Sequence, residues 1–242
     1  MVQTLEAQKK FSKKIQSMFT AIAPQYDFLN RLLSFGMDRQ WRKTAVNTLA
    51  LKKGDMILDI ATGTADMALE IVSRDPRSFK VFGLDFSFKM LQLAKIKTHN
   101  KGLNHAIRLQ IGDGGNLPFL DDSFHGITSA FGIRNFEDVE KGLTEKWRVL
   151  KPQGRVVIIE FSLPRSYFFR GIYLLYFRFI LPFIGQIVSG HRIAYKYLPE
   201  SVLKFPEQLE FAKIMMDCGF SDVTYKDLTF GIATIYKGFK YE

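Results

Sequence analysis

The sequence predicts an α/β fold around a mostly parallel, seven-stranded sheet, and three observations predict it. From residue 56 to residue 160, short apolar segments of strand length alternate with longer amphipathic segments. Strands that alternate with helices need crossover connections, which produce a mainly parallel sheet. Residues 221–240 then read as two strands around Thr229, which predicts an antiparallel hairpin at the end of the sheet. The 242 residues are an ordinary length for one such domain.

The composition is that of a folded, basic protein rich in phenylalanine. Charged residues make up 24% of the chain, which argues against a disordered or fibrous protein. The formal net charge of +10 favours either an anionic partner or simply a well-solvated basic surface. Aromatic residues reach 14%, and 23 of them are Phe. The single cysteine, Cys218, excludes an intramolecular disulfide, a CxxC motif and a zinc finger.

Two helical segments are expected before the first strand. Phe11, Ile15 and Phe19 recur on one face of a first helix, surrounded by lysines at positions 9–14. Pro24 interrupts, and a second helical stretch is expected from about residue 26 to residue 49. The beginning of the chain lacks an apolar core followed by a cleavage site, so we expect a cytoplasmic protein.

The sheet and its helices are expected in strict alternation after residue 55. The turn signal Lys53–Asp55 precedes the first strand, and Lys151–Gly154 is expected to be a turn before the fifth. The five expected parallel strands are Met56–Ile60, Lys80–Leu84, Ile107–Ile111, Gly126–Ala130 and Arg155–Glu160. The expected helices are Ala65–Ser73, a segment capped by Ser87, a segment with Val139, Leu143 and Trp147 at helical spacing, and one from Pro206 to Gly219.

A long apolar region, Tyr167–Val188, follows the fifth strand. It is interrupted by Arg170, Arg178 and Pro182, and its longest run without a charge is the twelve residues 179–190. A spanning helix needs about 20 apolar residues, so no transmembrane segment is expected. We interpret the region as a helical lid at a membrane interface, with a buried helix packed on the sheet as the alternative.

Residues after the first three strands have the character of a nucleoside site. The loop Asp59–Asp66 keeps one glycine, Gly63, which fits a nucleoside without phosphates better than a dinucleotide. Asp85 follows 22 positions later, at the tip of the second strand, where a carboxylate can accept both ribose hydroxyls. After the third strand, Asp113 can accept from an adenine amino group and Gly114 lets the backbone lie against the ring.

The fourth and fifth strands end in groups suited to a second substrate. Arg134 can stabilise a developing oxyanion and Asn135 can orient it, although a salt bridge or a capping role would also account for them. Glu160 ends the fifth strand, where it either touches the second substrate or pairs with an arginine in the cleft.

Together these motifs resemble a known family: the chain is similar to class I S-adenosylmethionine-dependent methyltransferases, and more narrowly to the menaquinone and ubiquinone biosynthesis C-methyltransferases. The resemblance covers about residues 18–240. It is carried by Tyr26–Asn30, Ser34–Gly36 and Trp41, by Phe131–Asn135, by Arg148–Gly154 with Glu160–Ser162, and by Tyr195–Ser201. It implies a Rossmann-like methyltransferase fold.

The resemblance implies the reaction and the residues for it. The cofactor is S-adenosylmethionine, and its expected contacts are Gly63, Thr64, Asp85, Asp113 and Gly114. The expected reaction transfers a methyl group to a ring carbon of a polyprenyl quinol, either demethylmenaquinol or a methoxy-benzoquinol. The sulfonium methyl is already activated, so no metal is expected.

Catalysis is expected to lie with three side chains. Arg134 would stabilise the phenolate, and Asn135 and Tyr26 would donate to the quinol oxygens. The general base stays open among four candidates, namely Glu160, His191, Tyr195 and water.

The chain departs from the family pattern at four positions. Asp38 stands where the family usually has a histidine, which puts an acid or base role there in doubt. Ala65 replaces a glycine in the cofactor loop and can weaken or reshape cofactor binding. Thr62 replaces a glycine or cysteine, and Gln153 replaces a glycine.

The expected organisation is one methyltransferase domain over residues 1–242. It comprises N-terminal helices (1–50), a cofactor-binding core (51–162), the apolar lid (163–205) and a C-terminal helix with hairpin (206–242). We expect a quinol partner, association with the inner face of a membrane and no nucleic acid, and a homodimer is left open. The alternatives are a methyltransferase acting on nucleic acid or another small molecule, and a cofactor-binding protein without catalysis.

Overall fold

A computed structural model describes residues 13–181 and 192–242, with the backbone alone for residues 192–196. Seven strands form one sheet in the order β3-β2-β1-β4-β5-β7-β6. Strands β1 to β5 pair in parallel, and β7 pairs antiparallel with both β5 and β6. The strands are β1 Met56–Ile60, β2 Lys80–Asp85, β3 Ile107–Ile111, β4 Phe124–Ala130, β5 Leu150–Phe161, β6 Ser221–Leu228 and β7 Ala233–Phe239. The predicted sheet, with its antiparallel hairpin turning at Thr229, is confirmed.

The helices lie between the strands, as the alternation predicts. Helix α1 comprises the described residues 13–22, which continue into a short 3-10 turn, Ala23–Gln25. The other α-helices are α2 Tyr26–Leu33, α3 Met37–Leu49, α4 Asp66–Val72, α5 Phe88–Asn100, α6 Val139–Val149, α7 Tyr167–Leu175, α8 Arg192–Lys204 and α9 Gln208–Asp217. Short 3-10 turns also occur at Ile133–Asn135 and Thr229–Gly231.

The prediction of one helix from about residue 26 to 49 is wrong, because the chain turns sharply in its middle. Phe35 and Gly36 have φ values of +50° and +76°, which end α2 and redirect the chain into α3. Glycine adopts such angles without steric cost, and Gly36 is therefore the signal that marks this break. The resulting pair of helices forms one wall of the site described below.

The expected turn at Lys151–Gly154 belongs instead to a longer strand. β5 runs from Leu150 to Phe161, and its pairing with β4 shifts register between Phe124 and Gly126. Gln153 takes a φ of +65° at this irregularity. The turn-forming residues thus bulge out within the strand: Lys151–Gly154 have no register partner on β4 or β7, and Gln153 and Gly154 bond to the backbone of Lys240 beyond the end of β7.

The core has two layers, one on each face of the sheet. On one face, α3 and α4 contribute residues such as Trp41, Val46 and Ile71, all 3% exposed or less. On the other face, α6 and α9 pack Leu143, Phe211 and Met215 against the central strands. The strand order reverses between β1 and β4, and ligands of such sheets bind outside the carboxyl ends of the strands at this point.

The apolar region after β5 is helical as far as it is described. α7 continues into a π-helical segment, Tyr176–Ile180, and residues 182–191 lie outside the described part of the chain. Tyr173 and Phe177 are buried, whereas Phe168 and Phe179 on the opposite side are exposed. Among the described residues, none of the helices combines the length and the apolar character needed to cross a bilayer.

Candidate active site

A cavity of about 670 Å³ opens at the carboxyl ends of strands β1 to β4, and we call it the strand-end cavity. Gly63, Asp85, Asp113 and Gly114, four of the five residues expected to bind the cofactor, line it together. Its size lies within the range usual for sites that hold a small molecule. The sequence-based expectation that these strand ends converge agrees with this arrangement.

Asp85 is the central acidic group of the strand-end cavity. It is 5% exposed, and its two carboxylate oxygens accept hydrogen bonds from the backbone N–H groups of Gly63 and Ser87, each at 2.8 Å. Burial raises the pKa of Asp85 to about 6, although these backbone donors act in the opposite direction. The remaining lone pairs can accept from a ligand hydroxyl.

The loop after β3 brings its backbone close to the cavity wall. The carboxylate of Asp113 accepts from the backbone N–H of Gly115 at 2.9 Å, which fixes the turn. A Cβ atom on Gly114 would lie 2.4 Å from Cζ of Phe136 and 2.9 Å from Cγ2 of Ile60. A side chain here would force Phe136 or Ile60 to move, so packing within the protein accounts for the glycine, and its contact with a ligand ring stays a prediction.

The fifth residue expected to bind the cofactor, Thr64, is not part of the described lining of the strand-end cavity. It is 4% exposed, and its hydroxyl donates to Oδ1 of Asp27 in α2 at 2.5 Å. Lys97 of α5 donates to the other oxygen of Asp27 at 2.6 Å and to the Thr64 hydroxyl at 3.2 Å. Thr64 thus ties the cofactor loop to α2, a role that its position in the motif did not reveal.

Ala65, one of the departures from the family pattern, adopts a left-handed conformation. Its φ is +67°, which an alanine reaches only at an energetic cost. Its side chain is fully buried in the core beside α4. The chain therefore keeps the backbone shape that glycine would allow and adds one buried methyl group.

A second cavity, of about 580 Å³, lies beside the first, and we call it the apolar cavity. Its walls come from α1, α2, α3, α7 and the Thr229 corner of the hairpin. Trp41 fixes that corner by donating from Nε1 to the Thr229 hydroxyl at 2.8 Å. Aromatic and aliphatic side chains dominate, and the charged residues among the described lining are Asp38, Arg42 and Arg134.

The two cavities share one wall. Phe19, Tyr26 and Phe131 line both of them. Phe131, at the end of β4, has a φ of +58°, a strained conformation for a bulky residue. Groups bound in the two cavities would therefore meet at this aromatic boundary.

Tyr26, predicted from the sequence, is half-buried at this boundary. Burial raises the pKa of its hydroxyl, whereas a hydrogen bond with Asn30 and the charges of Arg42 and Arg134 lower it. The positive charges of Arg42 and Arg134 therefore both act on the hydroxyl group of Tyr26.

Arg134 lines the apolar cavity and is paired with Glu160. Its NH1 group donates to Oε1 of Glu160 and to the carbonyl oxygen of Phe131, both at 2.5 Å. Glu160 is fully buried, so the sequence alternative in which it pairs with an arginine is the one found. Burial raises the pKa of Glu160, and Arg134 opposes this shift.

Asn135 lies on the strand-end side of the boundary between the two cavities. It lines the strand-end cavity, and its carbonyl oxygen accepts from the hydroxyl of Tyr197 at 3.0 Å. The 3-10 turn at Ile133–Asn135 sends adjacent side chains in different directions, so Arg134 and Asn135 reach different cavities. Tyr197 lines the apolar cavity, so Asn135 lies near the boundary, and its role at the second substrate stays a prediction.

Among the side chains named as candidates for the general base, Glu160 is the one that the structure describes. Glu160 lies behind Arg134 and is sealed from both cavities by that ion pair. His191 and the side chain of Tyr195 lie outside the described residues. Across residues 13–181 and the described part of 192–242, no cluster of histidine, cysteine and carboxylate residues could hold a metal ion.

One group in the apolar cavity was missed by the sequence reasoning. Arg42 of α3 is 8% exposed, and its NH1 group donates to Asp38 at 2.5 Å. Asp38 also accepts from Arg31 at 2.8 Å and from the Ser34 hydroxyl at 3.1 Å. The departure to aspartate at position 38 was the available signal, because a buried carboxylate requires cationic partners.

A sheet in the order β3-β2-β1-β4-β5-β7-β6, with one cavity at its switch point and an apolar cavity beside it, is typical of class I methyltransferases. Enzymes of this class take their methyl group from S-adenosylmethionine. The sequence profile of the ubiE/COQ5 methyltransferase family matches residues 7–240, and the chain belongs to that family.

Curated relatives agree with this assignment along nearly the whole chain. The ubiquinone/menaquinone biosynthesis C-methyltransferase UbiE of Geotalea daltonii is 51% identical over 228 residues, which are 94% of this chain and 97% of the relative. The demethylmenaquinone methyltransferase of Deinococcus radiodurans is 48% identical, covering 93% of this chain and 92% of its own length.

Solved structures resemble the fold at low sequence identity. The [4+2]-cyclase SpnF superposes with a TM-score of 0.71 at 15% identity, over 95% of this chain and 96% of that one. A Haemonchus contortus phosphoethanolamine N-methyltransferase 2 solved with S-adenosyl-L-methionine has a TM-score of 0.64 at 15% identity, over 84% of this chain and 53% of that one. These similarities concern the fold alone.

Proposed function

We propose that this protein methylates a ring carbon of a polyprenyl quinol in menaquinone or ubiquinone biosynthesis, with demethylmenaquinol as the preferred acceptor. The observation that carries the proposal is the junction of the two cavities at Tyr26 and Phe131, with Arg134 beside it. Relatives named demethylmenaquinone methyltransferase support the choice of acceptor.

The strand-end cavity suits S-adenosylmethionine. Asp85 is positioned for the ribose hydroxyls and Asp113 for the adenine amino group, while Gly114 keeps the wall open by leaving no Cβ against Phe136. When bound there, S-adenosylmethionine supplies a methyl group activated by its sulfonium charge. The residues at hand supply the rest, namely orientation, exclusion of water and charge stabilisation.

The apolar cavity suits a quinol ring with an isoprenoid tail. The ring would lie against Phe131, which packs on Phe161 at 4.5 Å between ring centroids. Arg134 would donate to a phenolic oxygen, and one well-placed donor of this kind stabilises a transition state by about 2.7–4 kcal/mol. Alignment of the ring carbon with the methyl group contributes a further 7–11 kcal/mol, about the range seen in well-oriented reactions.

The test of the activity uses labelled S-adenosylmethionine and a panel of chemically reduced acceptors. Demethylmenaquinol, a methoxy-benzoquinol and the corresponding oxidised quinones are each incubated with the protein, and product masses are measured. We expect a mass gain of one methyl group on the ring of demethylmenaquinol and none on the oxidised forms. Cofactor binding without methylation of any quinol would contradict the proposal.

The exposed side of α7 supports docking at a membrane, from which such a substrate would be drawn. Tyr167 is 92% exposed and Phe168 is 71% exposed, and Phe230 at 69% lies beside them, stacked on Phe169 at 4.4 Å. Exposed apolar patches of this kind mark interaction surfaces. Arg178 is also exposed on this segment and can reach anionic headgroups.

A matched pair of variants tests this surface. Phe168→Ser combined with Tyr167→Ser should weaken sedimentation with anionic vesicles severalfold, whereas Leu209→Ser, at an apolar residue of α9 that is 57% exposed, should not. Unchanged vesicle binding would remove the membrane role. A change in oligomeric state caused by the α7 variants alone would assign the patch to a homodimer instead.

A further inference from the structure

We infer that Arg42 is a second cation that stabilises the ionised oxygen of the phenolic substrate, in addition to Arg134. The inference rests on the proposed function, since it concerns the acceptor bound in the apolar cavity. Its basis is the position of Arg42 in the cavity lining and the charges that surround it.

Arg42 is placed where an acceptor ring would be. Its guanidinium carbon is 5.9 Å from the centre of the Phe131 ring, at the boundary between the two cavities. Its charge acts on the buried hydroxyl of Tyr26, as the charge of Arg134 also does. A phenolic oxygen near that hydroxyl would feel both cations.

Arg134 alone leaves little free charge in the cavity. Its guanidinium is bonded to Glu160, a carboxylate with no exposed surface, so that pair is neutral as a whole. A phenolate beside a neutral pair gains hydrogen bonds and only part of the Coulomb attraction of a full positive charge. A second cationic donor nearby would add further hydrogen bonds to the ionised oxygen.

Arg42 shares its carboxylate with another cation. Asp38 is bonded to both Arg42 and Arg31, so one buried negative charge faces two positive ones. Asp66 is 3.9 Å from Arg42 and is in direct contact with Lys97. With Asp27, three carboxylates share the three cations Arg31, Arg42 and Lys97, so the cluster is neutral as a whole. Only the NH1 group of Arg42 bonds Asp38, and its Nε and NH2 groups make no hydrogen bond to the described residues, so they can donate to a ligand oxygen.

Two further acidic groups belong to these surroundings. Asp27 also pairs with Lys97, but its carboxylate is 38% exposed and is therefore screened by water. Asp59 lies beneath the sheet end and is influenced by Arg42, although its oxygens are held by the hydroxyls of Thr62 and Thr128. Neither group lines the apolar cavity, whereas Asp38 lines it beside Arg42.

The balanced reaction defines what the second cation would do. The phenol releases a proton to water, and the ring carbon bonds the methyl group as the bond from that methyl to sulfur breaks. The ring carbon then gives its hydrogen to water as a proton, and the oxygen takes a proton back. One proton is released overall, and the ionised oxygen before methyl transfer is the species that Arg42 would stabilise.

The test measures the ionisation of a bound phenol directly, without turnover. The coloured probe 4-nitro-1-naphthol is titrated in the cavity in the presence of S-adenosylhomocysteine, and its apparent pKa is read from the absorbance. An opposite charge at close range lowers a pKa by about 1–3 units. We expect Arg42→Met to raise the pKa of the bound probe by at least one unit and Arg42→Lys to leave it near the wild-type value.

The matched control is Arg31→Met. Arg31 bonds the same oxygens of Asp38 from a position where its side chain is 29% exposed, so this variant breaks an equivalent ion pair without removing a cation from the cavity lining. Equal probe pKa values in Arg31→Met and Arg42→Met would overturn the inference. If Arg42→Met fails to fold, Arg42→Gln keeps an N–H donor for Asp38 and is judged by the same criterion.

Turnover provides the second measurement. Arg42→Met should lower kcat for the quinol by about 10- to 100-fold near pH 7 and recover part of the loss at higher pH. A wild-type protein that methylates no quinol would contradict the proposed function, whereas the probe titration would still decide the role of Arg42. An unchanged kcat and an unchanged pH profile in Arg42→Met would overturn the inference.

Discussion

Cofactor affinity should depend on pH through Asp85, and the structure gives the size of the effect. The pKa of this buried carboxyl is about 6, and the ribose hydroxyls are expected to bind its ionised form. If only the carboxylate binds, the dissociation constant grows by the factor 1 + 10^(pKa − pH), which is about elevenfold at pH 5 and negligible at pH 8. The affinity should therefore fall as the pH falls through 6.

Isothermal titration calorimetry with S-adenosylhomocysteine between pH 5 and 8 measures this dependence. Asp85→Asn keeps the shape but removes the charge, so it should bind about 10- to 150-fold more weakly at pH 8, as expected for loss of charged hydrogen bonds, and should show a flat profile. Asp59→Asn is the control, because burial also raises the pKa of Asp59 to about 6 while its oxygens are taken up by Thr62 and Thr128. This control should keep the wild-type profile.

A constant affinity of the wild-type protein from pH 5 to 8 would refute the reasoning.

The stability of the protein without cofactor should change with pH in the opposite direction to the affinity. Because the folded-state pKa of Asp85 is raised above its unfolded value, the folded protein holds this proton more tightly, and the free energy of unfolding without cofactor gains from this group as the pH falls from about 6 towards 4. Acid should therefore weaken cofactor binding while its effect through this residue stabilises the fold.

Three further predictions follow from local geometry. Gly114→Ala should lower the free energy of unfolding by about 1–3 kcal/mol through overpacking against Phe136, and should weaken cofactor binding at least tenfold. The control is Gly115→Ala, whose Cβ would meet its nearest atom at 3.5 Å, so denaturation and calorimetry should show little change in stability or in affinity. Ala65→Gly relieves about 1 kcal/mol of left-handed strain, but it removes a buried methyl group worth about 0.8 kcal/mol and increases the entropy of the unfolded chain. Because these effects oppose one another, urea denaturation should show a change in the free energy of unfolding below about 1 kcal/mol. A loss above about 2 kcal/mol would contradict this account. Arg134→Met combined with Glu160→Gln, which leaves no buried charge unpaired, should lower kcat about 100- to 1,000-fold with cofactor affinity retained; loss of cofactor binding instead would transfer Arg134 to the strand-end cavity.

The sheet could be predicted from sequence because its signals are local. Apolar runs such as Met56–Ile60 and Ile107–Ile111 have the length and spacing of strands whatever surrounds them. The break between α2 and α3 was missed because helical periodicity continues on both sides of Gly36. The extension of β5 through Gln153 was missed because it depends on hydrogen bonds to Lys240, near the end of the chain, which a local turn signal does not show.

In the candidate site, too, some residues could be predicted from their position in the sequence and others could not. Gly63, Asp85 and Gly114 follow strands directly, and parallel strands bring their carboxyl ends to one edge, so sequence position implied a shared cavity. The partner of Thr64 was not predictable, because Asp27 approaches from a helix 37 positions earlier in the chain. Arg42 was missed for the same reason: its importance depends on which side of α3 faces the apolar cavity, and periodicity alone does not distinguish a core-facing cation from a solvated one.

The wall that both cavities share has a consequence for inhibitor chemistry. Since Phe19, Tyr26 and Phe131 line both cavities, a molecule that joins an adenosine to a dihydroxy aromatic ring would, on the proposed function, need a short linker at sulfur. A rigid tether of this kind turns the second binding event into an intramolecular one, so its affinity can exceed that of either half by about 10²- to 10⁴-fold. A single layer of side chains therefore makes this enzyme a natural target for bisubstrate ligands.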